Sequence, residues 1–127
     1  MKPTSHQVIL DTNVLMAISE FHLDVFSALD YVLEQGYTVG VLKGTILELE
    51  TIVHEQRGKF RLGAALALKI LEQKKVKVLP SSGNVDDELV AASAQGVLVL
   101  TQDAALKKRL SKPYLTIRAK KSVLVVV

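Results

Sequence analysis

The chain of 127 residues contains no cysteine. That removes disulfide bridges, thiolate metal ligands and cysteine nucleophiles together, and it fits a reducing compartment. Aromatic residues make up only 5%, too few for base stacking to be a main source of nucleic-acid affinity. Long apolar runs are missing as well. Nothing approaches the roughly 20 apolar residues of a transmembrane helix. Val8-Ile9-Leu10 near the N-terminus is too short for the apolar core of a secretion signal. The expectation is a cytoplasmic protein with no membrane partner. No linker-like, repeated or low-complexity stretch divides the sequence, so residues 1–127 are expected to form a single domain. Acids are absent from the end of the chain: after Asp103 there are seven basic residues (Lys107, Lys108, Arg109, Lys112, Arg118, Lys120, Lys121) and no acid. The net charge is +3. If some of the acids hold cations, the remaining surface is more basic than that total.

What is present is a large apolar fraction, 49%, arranged with two periodicities. Short apolar runs at residues 7–10, 37–42, 76–79, 97–100, 114–118 and 122–127 predict strands. Between them, apolar residues at helical spacing predict helices over 14–19 (started by Thr12 or Asn13), 24–35, 45–55 and 59–74, one opened by Asp86 or Asp87 and ending at Gly96, and one over 103–110. The run 97–100 is apolar throughout, as expected of a strand covered on both faces. Alternation of strands and helices predicts an α/β fold, a three-layer α/β/α arrangement with a mainly parallel central sheet.

In such a sheet ligands bind beyond the carboxyl ends of the strands. Asp11 follows the first strand and Asp103 follows the fourth within three residues. Two carboxylates at one sheet edge can share a hard cation, since Mg²⁺ and Mn²⁺ prefer oxygen ligands and keep several waters. Each acid also has a plainer explanation. Asp after a strand is commonly a turn residue or helix N-cap, Asp87 suits a helix dipole, and a helix glutamate is most often simply solvated. Helical phase does not separate Glu48 from Glu50.

The set as a whole resembles the PIN-domain nuclease family. Val8-Ile9-Leu10-Asp11-Thr12-Asn13-Val14-Leu15 is similar to the family's opening motif, Glu48-Leu49 to its acidic helix position, Asp87-Glu88-Leu89-Val90-Ala91-Ala92 to its third motif, and Leu98-Val99-Leu100-Thr101-Gln102-Asp103 to its strand followed by Thr-x-Asp. The resemblance spans nearly the whole chain. It implies the strand order 3-2-1-4-5, which sets Asp11 beside Asp103. It implies Asp11, Glu48, Asp87 and Asp103 as catalytic Mg²⁺ or Mn²⁺ ligands, with Asp86 and Glu50 as competitors for two of the places. It further implies cleavage of RNA by a metal-activated water, leaving 5′-phosphate and 3′-hydroxyl ends.

Thr12, Asn13 and Thr101 are candidates for orienting the ligands or the phosphate, with helix capping as the alternative for the hydroxyls. Lys107, Lys108 and Arg109 on one side, and Arg57, Lys59 and Arg61 on the other, are candidate RNA phosphate contacts. The first group would equally suit a helix C-terminus. His6, His22 and His54 form no ligand set by spacing. The family resemblance leaves two roles open, the toxin of a VapC-type toxin–antitoxin pair, with an antitoxin protein over an apolar groove and a homodimer or higher homo-oligomer, or RNA processing. The competing class is a metal-silent binding module of the same fold. A phosphate-accepting receiver domain would want an acid after the third strand, where Pro80-Ser81 stands. A haloacid-dehalogenase-type phosphatase would want an acid where Asn13 stands.

Overall fold

The computed structural model describes residues 6–34 and 36–127. Residues 1–5, which entered the secretion-signal expectation, and Gln35, the expected end of the second helix, lie outside the described residues. Twelve elements follow in order: β1 (His6–Leu10), α1 (Thr12–Phe21), α2 (Val25–Val32), β2 (Tyr37–Leu42), α3 (Lys43–Glu55), α4 (Gly58–Gln73), β3 (Lys77–Leu79), α5 (Val85–Ala94), β4 (Leu98–Leu100), α6 (Ala104–Arg109), β5 (Tyr114–Arg118) and β6 (Ser122–Val126).

The strands form one sheet in the order β3-β2-β1-β4-β5-β6. The pairs up to β5 are parallel, with Val8 opposite Val39 and Leu98, and Leu10 opposite Leu100. This is the expected order, extended by β6, which pairs antiparallel with β5 through a tight turn. Ala119 and Lys120 occupy that turn at positive φ.

Side-chain alternation along the strands divides the core. Val8, Leu10, Leu98, Leu100 and Val41 face the side covered by α1 to α4, where Val14, Leu15, Leu29, Leu49, Ala64 and Leu71 are buried. Ile9, Leu42 and Val99 face the other side, against Leu89 of α5 and Leu106 of α6. Strand side chains have period two, so each run of three serves both layers. The chain builds outward from β1 to β3, then returns to the far side of β1 to lay down β4. That reversal carries α5 and α6 to the opposite face, as right-handed crossovers demand. β1 and β4 therefore flank the switch point.

Several helices begin elsewhere than their periodicity suggests, because caps set the ends. α1 starts at Thr12 and not Val14, since Asp11 is its N-cap. α3 starts at Lys43, directly out of β2, with Leu42 as a cap that offers no side-chain bond. α5 is opened by neither Asp86 nor Asp87. Asn84 caps it through the Asp87 backbone N–H, which places Asp86, Asp87 and Glu88 inside the first turn. α6 takes Asp103 as its cap.

Candidate functional site

At the switch point the backbone of Asp11 continues the β1–β4 pairing, its N–H bonding the Leu100 carbonyl at 3.0 Å. The Asp11 side chain is 6% exposed. Its Oδ1 accepts from the Thr12 N–H at 2.8 Å. Its Oδ2 accepts from the Thr101 hydroxyl at 2.7 Å and from Asn13 Nδ2 at 3.1 Å. Both oxygens are thus fixed by groups from β1's own continuation and from the end of β4.

The loop after β4 is held by the same residues. Thr101 Oγ1 accepts from the Asp103 N–H at 3.0 Å and from Asn13 Nδ2 at 3.3 Å. Asn13 Oδ1 accepts from the Gln102 N–H at 3.1 Å. Asp103 Oδ1 in turn caps α6 through the Leu106 N–H at 3.0 Å. Across the cleft, Thr12 Oγ1 donates to Glu48 Oε1 at 3.0 Å. Thr12, Asn13 and Thr101 therefore link the acids to one another. The hydroxyls of Thr12 and Thr101 both donate to carboxylates, which is more than the capping alternative required.

The electrostatics are those of a crowded acidic pocket. Burial pushes the Asp11 carboxyl above its ordinary range. The Thr101 and Thr12 bonds pull it down, and the charges of Asp86 and Asp103 push it further up. Burial also raises the Glu48 carboxyl, against its Thr12 bond, with Asp11 and Asp86 adding to the rise. Like charges gathered in a partly dry site favour protonation or a bound cation.

At the third acidic position the two candidates, Asp87 and its competitor Asp86, have different surroundings. Asp87 accepts from Arg109 of α6, Nη2 to Oδ1, at 2.6 Å. Its neighbour Asp86 is the residue whose charge acts on both Asp11 and Glu48. Successive helix residues lie about 100° apart around the axis, so the two acids meet different neighbours. Arg109 is thus paired with an acid at the surface, and Lys107 and Lys108 accompany it in the last turn of α6. Arg57, Lys59 and Arg61 are exposed around the α3–α4 turn, and Lys59 stands 5.7 Å from the Phe60 ring centroid.

Among the described residues, no three acidic or histidine side chains meet closely enough to hold a metal ion unaided. Mg²⁺ and Mn²⁺ are commonly held by one or two carboxylates with waters completing the shell. An all-carboxylate donor set, without sulfur, has the chemistry those ions select. The residues present fit such an ion.

Known proteins resemble this chain in sequence and in fold. The family model described as a PIN like domain matches residues 8–120. Ribonuclease VapC9 of Archaeoglobus fulgidus is 34% identical over 103 residues, which are 80% of this chain and 73% of that protein. The structure of the PIN domain endonuclease Utp24 superposes with a TM-score of 0.74 at 26% identity, covering 94% of this chain and 90% of that one. VapBC2 from Rickettsia felis, solved with a DNA fragment from its promoter, superposes at 0.59 with 16% identity, covering 82% and 95%, a likeness of fold alone. The family match over nearly the whole chain, together with this identity to a curated relative, means that the chain belongs to the PIN-like domain family.

Proposed function

We propose that the chain is a divalent-metal-dependent endoribonuclease that cuts single-stranded RNA, with Asp11, Glu48, Asp86 and Asp103 as the acids that hold Mg²⁺ or Mn²⁺, directly or through water. The observation that carries this reading is Asp11 itself, a buried carboxylate fixed by Thr12, Asn13 and Thr101 with two further acids raising its pKa. Asp86 replaces Asp87 in the set because Asp87 is committed to Arg109.

When bound, the ion supplies a polarised phosphate and a water of lowered pKa. The protein's share is orientation. Thr101 and the Thr12 N–H hold the two Asp11 oxygens in one rotamer. The Thr12 hydroxyl holds Glu48, and Asn13 ties Asp11 to the loop after β4. Preorganised in this way, the carboxylates need not reorganise when the scissile phosphate arrives. Lys107 and Lys108 supply positive charge toward the RNA backbone. Identity with a ribonuclease over most of the chain supports the nuclease over the metal-silent module.

A toxin role, with an antitoxin protein or a second copy as partner, is the second reading. It is favoured by exposed apolar side chains on α3 and α4, Leu47, Phe60, Leu62 and Leu66, and by a shallow cleft between α1 and α4 lined by Met16, Ser19 and Phe60.

The test is cleavage of single-stranded RNA with Mn²⁺ against the same reaction in EDTA, for wild type, Asp11→Asn, Asp86→Asn and Asp87→Asn. Metal-dependent cleavage should fall by roughly 100-fold or more in Asp11→Asn and Asp86→Asn, and much less in Asp87→Asn. Cleavage that survives Asp11→Asn would sink the assignment. A loss in Asp87→Asn with Asp86→Asn active would return the place to Asp87.

A further inference from the structure

The first turn of α5 is fastened on several sides. Asn84 caps it through the Asp87 N–H at 3.0 Å. Glu88 Oε1 accepts from the Ser81 hydroxyl at 2.6 Å and Glu88 Oε2 from the Ser82 N–H at 3.3 Å, drawing the β3–α5 loop onto the helix. Asp87 ties it to α6 through Arg109. The fourth fastening is a close approach. A Cβ on Gly44, in the first turn of α3, would stand 2.5 Å from Val85 Cγ2 and 3.0 Å from Ser81 Oγ. No real Cβ comes that near, and a β-branched valine has little rotamer freedom with which to yield.

Glycine is a poor residue for a helix, and alanine would be the better one. Its φ here is not positive, so backbone conformation does not require it. Space does. Gly44 precedes Glu48 by one helical turn, and Val85 is adjacent to Asp86. The contact therefore fixes how closely the turn carrying one acid approaches the turn carrying the other.

We propose that Gly44 is a positioning residue for the metal site. By omitting a side chain it lets the first turn of α5 seat against α3, and so sets the separation of Asp86 from Glu48 and Asp11. The inference rests on the metal-site reading above and adds to it a residue that touches neither metal nor RNA. Substitution at Gly44 would move α5 outward as a unit, since Glu88, Ser81 and Asn84 hold its first turn together.

The experiment is a cycle on the full chain, Gly44→Ala, Val85→Ala and the double variant, beside Asp11→Asn, read by Mn²⁺ binding in calorimetry and by the thermal midpoint without metal. Gly44→Ala should weaken Mn²⁺ by about 10-fold, the effect usual for groups that orient a metal's ligands. The double variant, in which the alanine Cβ takes the room vacated by the valine methyls, should recover most of it. Val85→Ala alone loosens the same contact and should also bind Mn²⁺ more weakly, so the proposal stays testable if Gly44→Ala does not fold. Wild-type Mn²⁺ affinity in a folded single variant, with only the thermal midpoint changed, would reduce Gly44 to a packing residue and overturn the proposal. So would failure of the double variant to recover. Wild-type affinity in Asp11→Asn would instead overturn the metal site on which the proposal rests.

Discussion

Asp11 has two tasks that conflict. As the N-cap of α1 it belongs where it is. As a buried carboxylate with Asp86 and Asp103 near it, it is an electrostatic burden on the folded protein in the absence of a cation. Its folded-state pKa is raised, chiefly by burial, from the ordinary value of 3.8. The folded form therefore holds its proton to higher pH than the unfolded chain does. Stability from this group is fully present below the ordinary carboxylate range and is lost as pH rises through the raised folded value. Asn caps a helix as well as Asp and carries no charge. Asp11→Asn should raise the metal-free stability near neutral pH by about 1 kcal/mol, roughly 4 °C in Tm. The gain should shrink as pH falls toward the carboxylate range. Thermal melts of both proteins in EDTA across that range measure it, and a variant less stable than wild type at neutral pH would contradict it.

At the scale of the element, α5 is informative because its first turn assigns a different partner to each of its three acids. The charge of Asp86 bears on Asp11 and Glu48, Asp87 pairs with Arg109 and Glu88 accepts from Ser81. What fixes their phase is the cap. Asn84 accepts from the Asp87 N–H and so determines where the first turn begins. Removing it by Asn84→Ala should cost about 1 kcal/mol of stability, visible in urea unfolding as a lower midpoint with unchanged slope. An unchanged midpoint would mean that the acids and Gly44 alone hold the helix start. The same logic explains why α1 begins earlier than its apolar spacing suggests, since the Asp11 side chain satisfies the Thr12 N–H at its start.

Over the whole molecule, charge is divided between a cleft that gathers acids and a chain end that has none. The seven basic residues after Asp103 fall on α6, the loop after it, the end of β5 and the β5–β6 turn. Lys107 and Lys108, on the helix that Asp103 caps, stand nearest in sequence to the site. Arg109 is already paired. Charge reversal of Lys107 and Lys108 should weaken RNA binding most at low salt. The slope of log affinity against log salt should become shallower by about 0.7 for each single-strand phosphate that the variant no longer neutralises. Fluorescence anisotropy with Asp11→Asn as the background prevents cleavage during titration. An unaltered slope would leave these lysines as stabilisers of a helix C-terminus.

The order of elements was legible from local pattern alone. Period-two and period-3.6 runs marked the alternation, and a continuous apolar run marked the central strand beside β1. Asp11 and Asp103 stood out because each ends a strand, and a strand end in a parallel sheet has a known address. The family resemblance carried the strand order and brought in Glu48. What the sequence could not determine was which of two adjacent or near-adjacent acids faces inward. The resemblance favours Asp87 through the register of Leu89-Val90-Ala91-Ala92, yet a rotation of α5 about its axis exchanges the two neighbours. In the tertiary structure that axis is anchored by Arg109, which pairs with Asp87 on one side, and by the close approach of Val85 to Gly44 on the other, and the proposed assignment of Asp86 follows from that anchoring. Glu48 is distinguished from Glu50 in the same way, by the Thr12 hydroxyl that reaches it across the cleft. The acids of the site are a property of the sequence. Their convergence belongs to the packing, because contacts between residues dozens of positions apart fix a helix's rotation, and no local pattern encodes those contacts.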